Sequence, residues 1–471
     1  MKKTISTYFS LCLLFLAFIK AASAVNYNFQ FQIKGLDIPE KCVLGYYAGD
    51  FTYAVDSAKV ANNGRIQFRG QRDLLDGMYF LMIPQKGFID FIVYKDYQFQ
   101  VQSDITNLQK NLTVSGSTEN EGYFTYQRFL ATKKEEIAQQ NQMLQMLKRA
   151  TKDPQVIQES QQRINELRQS IADRAHELME THTTSFFCMM MEANELPEVP
   201  SNIPVQLNGA TNPIYLQYVK DKFWDNFDFN ENGLLQTKIF ATKASFFFEQ
   251  LTARSVEGFI ESTDILAKKS MVNPIALQNT LRWLVTTFEN TKSKGTDAVF
   301  VHIFDTYFTT PEENGIDVAT FSRIEQKANY FRPTLVGNVA PNITLLDQND
   351  RSQSLHDLKA KYTMLYFFSP LCDKCRTATP KVVELFQQYK SKGLKCFAVC
   401  TDDKKAYWKN YVQENKLPWT CVMDTDADLT IESKYAPNSL PNIFILDQDK
   451  KILANRVEVE ELEAALAALV K

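Results

Sequence analysis

Two cysteines separated by two residues offer the most recognisable chemistry in this chain. They are Cys372 and Cys375, in the stretch FFSPLCDKCRTATP, which follows an apolar run and precedes a segment of helical character. Such a pair can be a dithiol that cycles to a disulfide, half of a metal site, or two unreactive thiols. The choice depends on the compartment, on other possible ligands and on the elements that flank the pair.

The N-terminal segment predicts a compartment outside the cytosol. Two early lysines precede an apolar run over residues 11–19, and the small residues ASA end the segment. This is the layout of a secretory signal peptide over residues 1–24, cleaved after Ala24. The alternative is a membrane anchor, but the run is well short of the ~20 residues of a spanning helix. We therefore expect a periplasmic protein without a stable membrane span.

Length, charge and cysteine count describe a multidomain protein that does not bind nucleic acid. The chain has 471 residues, of which 45% are hydrophobic, and this suggests about three domains of ~150 residues each. Removing the three lysines of residues 1–24 takes the formal net charge from −3 to −6. No basic cluster remains to attract phosphates. Seven scattered cysteines remain, an odd number that does not fit a disulfide scaffold.

Two modules are predicted upstream of the cysteine pair. In residues 25–117, the stretch NYNFQFQIKG alternates apolar and polar residues, which is typical of strands in a small antiparallel β-sandwich or barrel. The Asn-Gly pair at 63–64 predicts a two-residue hairpin. Residues 118–332 are predicted to be all-helical, with an Asp-Pro pair at 153–154 separating two long amphipathic helices. Neither module contains an evident catalytic constellation.

The C-terminal region, residues 333–471, is predicted to be an α/β domain. The short apolar runs YTMLYFF, KCFAVCT, TCVMD and NIFILD alternate with helical patterns, which predicts a mainly parallel sheet covered on both faces. A hairpin-length turn joins NIFILD to KILANRV, so one edge of the sheet should be antiparallel. The cysteine pair falls where the first of these strands leads into its helix.

This strand-to-helix junction favours a redox role for the pair. Residues three apart on a helix have Cβ atoms ~5–6 Å apart on one face, close enough for a disulfide after a small adjustment. Unpaired backbone N–H groups and the dipole at a helix N-terminus favour a thiolate there. We expect Cys372 to attack as the nucleophile. Cys375, one turn further and more buried, would resolve the mixed disulfide.

Other interpretations of the cysteines have less support. A structural zinc site needs about four ligands, and no second cysteine pair or histidine pair follows at a suitable spacing, so neither a metal nor another cofactor is expected. A c-type haem needs a histidine directly after the pair, where Arg376 stands. Cys396 and Cys400 are ~13 Å apart on a strand, beyond the ~7 Å limit for bridging. These two and Cys421 are expected to be core thiols.

Residues 335–471 resemble the TlpA-like thiol-disulfide oxidoreductases, which have a thioredoxin fold. The stretch GNVAPNITLLDQNDRSQSLHDLKAKYTMLYFFSPLCDKC is similar to the opening of that family, and DTDADLTIESKYAPNSLPNIFILDQDKKIL to its second half. Pro380 stands where the family has a helix-kinking proline. Pro441 matches its cis-proline, so the resemblance implies that Leu440 and Pro441 contact the substrate. Residues 25–330 more loosely resemble modules that precede such domains in Gram-negative envelope proteins.

The sequence also departs from its relatives around the pair. The tryptophan that usually precedes the first cysteine is Leu371. Thioredoxins carry a buried acid where Tyr366 stands, and related reductases carry a glutamate where Ala378 stands. The group that takes a proton from Cys375 is therefore not identified.

Sequence and resemblance together predict an exported thiol-disulfide oxidoreductase, a reductase or isomerase of envelope protein disulfides rather than a strong oxidase. Its partners would be protein or small-molecule disulfides and thiols, and an unidentified envelope electron donor. A peroxiredoxin-like peroxidase is disfavoured, because Leu365 replaces the proline of Pro-x-x-x-Thr/Ser-x-x-Cys, although Ser369 fits that motif. The alternative from another class is an envelope binding or scaffold protein in which residues 25–330 act and the redox domain is auxiliary.

Overall fold

A computed structural model describes most of the chain, except for the N-terminal segment and several short internal stretches. The described residues are 25–38, 40–150, 153–207, 210–290, 295–402, 404–423, 430–435 and 439–470. The predicted signal peptide, residues 1–24, lies outside them. Backbone contacts divide the described residues into two compact units. One runs to Thr252 and includes Asp264–Thr280, and the other contains Ala253–Thr263 and the chain from Leu281 onward.

The first unit begins with a β-sandwich. The strands described in it are β1 (Val25–Lys34), β2 (Lys41–Ala48), β3 (Phe51–Lys59), β4 (Arg65–Arg72), β5 (Gly77–Ile83), β6 (Gly87–Val93), β7 (Gln98–Asp104) and β8 (Thr113–Ser115). They form two sheets, with the orders β4-β1-β7-β8 and β3-β2-β5-β6. The alternating pattern of β1 is confirmed, because Phe29, Phe31 and Ile33 are fully buried in the core that both sheets share.

Two details of the sandwich differ from the prediction. Strands β1 and β7 are parallel, whereas the other strand pairs described in the sandwich are antiparallel. The predicted hairpin at 63–64 is wrong, because β3 and β4 belong to different sheets. Gly64 has φ = 78°, and a Cβ there would lie 2.1 Å from the Ile33 carbonyl oxygen. The turn at residue 64 passes so close to β1 that only glycine fits there.

Helices follow the sandwich, as predicted. They are α1 (Thr118–Ala150), α2 (Pro154–Thr181), α3 (Phe186–Asn194), α4 (Pro213–Lys222), α5 (Asn232–Leu235), α6 (Ile239–Phe246), α7 (Val256–Ser270) and α8 (Pro274–Asn290), with the short strands β9 (Gln206–Leu207) and β10 (Ala210–Thr211) before α4 and a π-helical turn (Phe247–Leu251) after α6. Asp153 caps α2 by accepting a hydrogen bond from the Gln155 backbone N–H at 2.9 Å. Pro154 occupies the first turn, where its missing N–H is not needed.

Besides parts of α7 and α8, the second unit contains the C-terminal region and the helices that directly precede it. These are α9 (Thr296–Tyr307), α10 (Val318–Phe331) and a 3₁₀ turn (Arg332–Thr334). The strands that follow are β11 (Thr344–Asp347), β12 (Ser352–Ser354), β13 (Tyr362–Phe368), β14 (Leu394–Cys400), β15 (Thr420–Met423), β16 (Asn442–Leu446) and β17 (Ile452–Ala454), and the helices are α11 (Asp373–Lys390), α12 (Lys405–Glu414), α13 (Thr430–Tyr435) and α14 (Val459–Leu469). This is the predicted thioredoxin fold.

The C-terminal sheet is mixed, so the prediction of a mainly parallel sheet is wrong. Its order is β12-β11-β15-β14-β13-β16-β17, and β14 is parallel to both of its neighbours, whereas the other pairs described are antiparallel. A hairpin joins β11 to β12. Asp347 closes it by accepting the backbone N–H groups of Asn349 and Arg351 at 2.8 and 3.0 Å.

Strand β13 lies near the centre of this sheet and is buried on both faces. Met364, Tyr366 and Phe368 belong to one hydrophobic cluster, and Leu365 and Phe367 to the cluster on the opposite face. Burial on both faces explains why the sequence of β13 is continuously apolar. The strand ends directly before the segment that carries the cysteine pair, so a rigid element positions that segment.

Helix α9 contacts the C-terminal part of the same unit. Asp297 accepts a hydrogen bond from Asn455 Nδ2 at 2.6 Å and forms an ion pair with Arg456. Arg456 also donates to Thr334 Oγ1 at 2.9 Å. The predicted domain boundary at residues 332–333 therefore separates residues that touch, and the boundary itself stays a prediction. Within the described residues, no helix has the length and apolar character needed to cross a membrane.

Candidate active site

The cysteine pair lies between the end of β13 and the start of α11. Cys372 is the N-cap residue of α11, and its Sγ accepts a hydrogen bond from the Cys375 backbone N–H at 3.4 Å. Cys372 is partly exposed, whereas Cys375 is fully buried. The sulfur of Cys372 thus lies at the unpaired N–H groups that begin a helix, which stabilise negative charge.

The segment Leu440–Pro441 faces Cys372. The peptide bond between these two residues is cis, as the resemblance implied for Pro441. The Leu440 carbonyl oxygen lies 3.8 Å from Cys372 Sγ. A surface groove continues from this point between helices α11 and α14. Its lining includes Thr377, Lys381, Leu440, Pro441, Glu460 and Glu463.

A closed network of hydroxyl groups occupies the position where thioredoxins carry a buried acid. Thr379 Oγ1 donates to the Cys375 carbonyl at 2.8 Å and accepts a hydrogen bond from the Tyr411 hydroxyl at 2.8 Å. The Tyr366 hydroxyl lies 3.0 Å from the same oxygen. With one donor and two acceptor lone pairs, the threonine hydroxyl can satisfy all three partners at once. The network joins α11 to β13 and α12.

Ser369 and Asp402 also lie beside the pair, although they are 33 residues apart in the chain. The Ser369 hydroxyl donates to Asp402 Oδ2 at 2.5 Å and accepts the Leu371 backbone N–H at 3.0 Å. The Ser369 carbonyl accepts the Cys372 backbone N–H at 3.2 Å. Ser369 follows β13 and Asp402 follows β14, and the carboxyl ends of parallel neighbours meet at one sheet edge. The sequence indicates that each residue follows a strand, but not that the two strands are paired in this register.

Both the N-terminal β-sandwich and the C-terminal thioredoxin-like region match known protein families. A family model described as AhpC/TSA family matches residues 336–455, and a model described as a domain of unknown function (DUF4369) matches residues 27–123. The thiol-disulfide oxidoreductase ResA of Bacillus cereus is 30% identical over 118 residues, which cover 25% of this chain and 67% of that protein. The chain belongs to the TlpA-like family of thiol-disulfide oxidoreductases.

Solved structures are similar to parts of the chain of different length. The thioredoxin domain of a thiol-disulfide oxidoreductase from Bacteroides vulgatus is 31% identical, with 29% of this chain and 98% of that chain covered and a TM-score of 0.28. A thioredoxin-like protein from Bacteroides caccae is 14% identical, with 58% and 98% covered and a TM-score of 0.47.

The two thiols of this thiol-disulfide oxidoreductase differ most in burial. Burial raises the pKa of Cys375 to about 12; the neighbouring Ser369 N–H lowers it, while Cys372 and the Asp402 carboxylate raise it. A thiol with a pKa raised this far keeps its proton near neutral pH. Cys375 must therefore lose a proton before or during any attack on a mixed disulfide.

The charges near Cys372 largely neutralise one another. The sequence suggested that Asp373 opposes a thiolate there and that Lys374 and Arg376 favour it. Asp373 and Arg376 form an ion pair with each other, and Arg376 also donates to the Pro370 carbonyl at 3.1 Å. The ion pair of Asp373 and Arg376 therefore has little net charge. Lys374, which is exposed, is left as a cation beside the start of α11.

The remaining cysteines of the domain are core thiols, as predicted. Cys396, Cys400 and Cys421 are buried and unbridged. Burial raises the pKa of Cys400 to about 12 and places that of Cys396 well above its ordinary value, so both stay protonated. No group of three or more histidine, cysteine or acidic side chains suited to a metal ion occurs in the described part of the chain.

Proposed function

We propose that this enzyme is exported and reduces or isomerises disulfides of envelope proteins, with Cys372 as the nucleophile and Cys375 as the resolving thiol. Family membership establishes thiol-disulfide exchange as the reaction. The observation that carries the two roles is the contrast between the thiols. Cys372 Sγ is accessible at a helix start, whereas Cys375 is fully buried one turn further along α11.

The reaction proceeds by two exchanges at sulfur. The Cys372 thiolate attacks a substrate disulfide, a mixed disulfide forms, and one substrate sulfur leaves as a thiolate. Cys375 then attacks Cys372 Sγ, the Cys372–Cys375 disulfide forms, and the second substrate sulfur leaves. Two electrons pass from the dithiol to the substrate, and an envelope electron donor restores the dithiol. Leu440 and Pro441 hold an extended substrate in the groove beside Cys372 Sγ.

Trapping of the mixed disulfide tests these roles. A Cys375→Ser variant should accumulate covalent adducts that dithiothreitol releases, because the second exchange cannot follow the first. A Cys372→Ser variant is the matched control and should trap little, because Cys375 is buried. Adducts on Cys372→Ser alone would reverse the assignment. Adducts on neither variant would favour the binding-protein alternative. The trapped partners would identify the substrate class.

Export is proposed from the sequence of residues 1–24, which has a basic start, a short apolar run and a small-residue cleavage pattern. N-terminal sequencing of the protein from cells should find Val25 as the first residue. A protein that retains Met1 would contradict the proposal. The redox state of the pair in cells would report the direction, mostly dithiol for a reductase and mostly disulfide for an oxidase.

A peroxidase function finds no support in the arrangement of the site. Leu365, which replaces the motif proline, is fully buried in the sheet. Ser369, the position that fits the motif, directs its hydroxyl to Asp402. The residues that would form a peroxide pocket are therefore engaged in the core or with another side chain.

A further inference from the structure

The resolving step lacks an obvious proton acceptor. Tyr366 stands at the position of the thioredoxin acid, and its hydroxyl is engaged with Thr379. Burial raises the pKa of Tyr366, so the phenol keeps its proton. Ala378 stands at the other position where relatives carry an acid, and its methyl group cannot accept a proton. Another group must therefore take the proton of Cys375.

Ser369 connects Cys375 to a carboxylate. Its backbone N–H faces the Cys375 sulfur, and its hydroxyl donates to Asp402 Oδ2 at 2.5 Å. A backbone hydrogen bond also joins the segments that carry Ser369 and Asp402, because the Thr401 N–H donates to the Phe368 carbonyl at 3.0 Å. The carboxylate is thus fixed at the sheet edge from which α11 begins. The Asp402 charge acts on the Cys375 thiol from this position.

We propose that Asp402, positioned by Ser369, accepts the proton of Cys375 while Cys375 attacks the mixed disulfide. The S–H bond of Cys375 breaks and its proton passes to the Asp402 carboxylate. The bond between Cys375 Sγ and Cys372 Sγ forms, and the bond between Cys372 Sγ and the substrate sulfur breaks with its electron pair on the substrate. Asp402 is half-buried, so it can return the proton to solvent or to the leaving thiolate.

The other titratable groups around Cys375 do not compete for this role. On α11, Cys372 is bonded to the substrate at this stage and Arg376 is paired with Asp373. From β13 and α12, Tyr366 and Tyr411 both bond Thr379. From β14, Cys400 holds its own proton, because burial raises its pKa to about 12. Each of these groups either keeps its own proton or lacks a basic lone pair that could accept the proton of Cys375.

The two exchange steps can be timed separately with 5,5′-dithiobis(2-nitrobenzoate) and the reduced full-length protein. The first thionitrobenzoate released reports attack by Cys372, and the second reports resolution by Cys375. In Asp402→Asn the first phase should be nearly unchanged and the second slowed by at least about tenfold at pH 7. Between pH 6 and 9, the second-phase rate of the variant should rise steadily with pH, whereas that of the wild type should level off.

Two variants complete the test. Asp449→Asn removes the same charge from an exposed turn of the domain, and it should leave both phases unchanged. Ser369→Ala keeps the backbone N–H that faces Cys375 but removes the hydroxyl that holds Asp402, so its second phase should also slow. This variant provides the test if Asp402→Asn does not fold.

Equal second phases and equal pH profiles in Asp402→Asn and wild type would overturn the proposal, as would parallel loss of both phases. The proposal rests on the roles of the two cysteines, and absence of a first phase in the wild type would overturn those roles instead.

Discussion

At the scale of single residues, burial separates two chemically identical thiols. Cys372 caps α11 with its sulfur partly exposed, and Cys375 is enclosed by the domain core three residues later. Burial is the largest of the effects that raise the pKa of Cys375 to about 12. A thiol whose pKa is raised this far is almost entirely protonated near neutral pH.

Alkylation of Cys375 should reveal this protection. In a Cys372→Ser variant at pH 8, iodoacetamide should modify Cys375 at least roughly 100-fold more slowly in the folded protein than in urea, because the buried thiol is protonated. Removal of Cys372 relieves part of the pKa shift, but burial, its largest cause, remains. Mass spectrometry of the modified peptide measures both rates, and the folded-state rate should keep rising with pH above 9. Equal rates in folded and unfolded protein would contradict the shift.

The sequence predicted part of this site and missed the rest for a physical reason. Cys372, Cys375 and Pro441 follow from local motifs. Ser369 and Asp402 are 33 residues apart in the chain, and they meet because β13 and β14 are paired in parallel with Phe368 opposite Cys400. Sequence periodicity predicts both strands but not their register, and register decides which loop residues touch.

At the scale of elements, the hydroxyl network anchors the start of helix α11. Thr379 is fully buried, and its hydroxyl bonds the Cys375 carbonyl, Tyr411 and Tyr366. Pro380 follows directly and has no N–H to contribute to the helix. Side-chain bonds to β13 and α12 thus hold the turn of α11 that carries the pair, at the point where the helical ladder is interrupted.

Thr379→Val should therefore destabilise this helix. The substitution keeps the shape but leaves two buried tyrosine hydroxyls without their shared partner, so the free energy of opening of α11 should fall by about 2–4 kcal/mol. Hydrogen exchange on the amides of α11 measures this quantity. Thr377→Val is the matched control, because Thr377 bonds the Asp373 carbonyl on the exposed face of the same helix. Its effect should stay below about 1 kcal/mol.

A rescue variant separates the network from simple packing. Adding Tyr366→Phe and Tyr411→Phe to Thr379→Val removes every hydroxyl that had lost its partner, so most of the lost stability should return. Equal effects of Thr379→Val and Thr377→Val would contradict the role of the network, and so would a triple variant that is less stable still.

Some strands and turns of the C-terminal sheet follow directly from the sequence pattern. The run YTMLYFF coincides with strand β13 (Tyr362–Phe368), because a continuous apolar run of this length fits a strand buried on both faces. The β11–β12 hairpin was missed because Asp350, rather than glycine, takes the positive φ of 59°. The same acidic turn recurs at Asp447, which accepts the N–H groups of Asp449 and Lys451 at 2.9 and 2.8 Å. An Asp-Gln pair followed by Asn or Asp between apolar runs was thus a usable hairpin signal.

At the scale of the whole molecule, the contacts of α9 assign it to the unit that carries the cysteines. Asp297 is almost buried, with 8% of its side chain exposed, and Arg456 is 25% exposed, so their ion pair is shielded from water. Arg456 also lies over the Phe331 ring at 4.7 Å from the centroid. A second ion pair of the same helix, Asp305 with Arg332, has side chains 47% and 41% exposed.

These two ion pairs should differ in their contribution to stability. Asp297→Ala leaves Arg456 partly buried without its carboxylate and should lower the free energy of opening of strands β16 and β17 by about 3–5 kcal/mol. Asp305→Ala, the matched control on the same helix, should lower it by less than about 1 kcal/mol. Hydrogen exchange on the full-length protein measures both. Similar values for the two variants would show that the buried pair does not join α9 to the sheet.

The last prediction concerns which part of the molecule performs the chemistry. Cys372, Cys375, Ser369, Asp402 and Leu440 all lie in one compact unit, and we propose that the upstream modules select partners or set geometry. A fragment of residues 295–471, which keeps Asp297, should release both thionitrobenzoates at rates nearly unchanged from the full chain. A fragment of residues 333–471 should show the same chemistry but unfold at a lower urea concentration, because Arg456 loses its partner. If the longer fragment is folded by circular dichroism yet loses either phase, the active site is shared with residues upstream of 295.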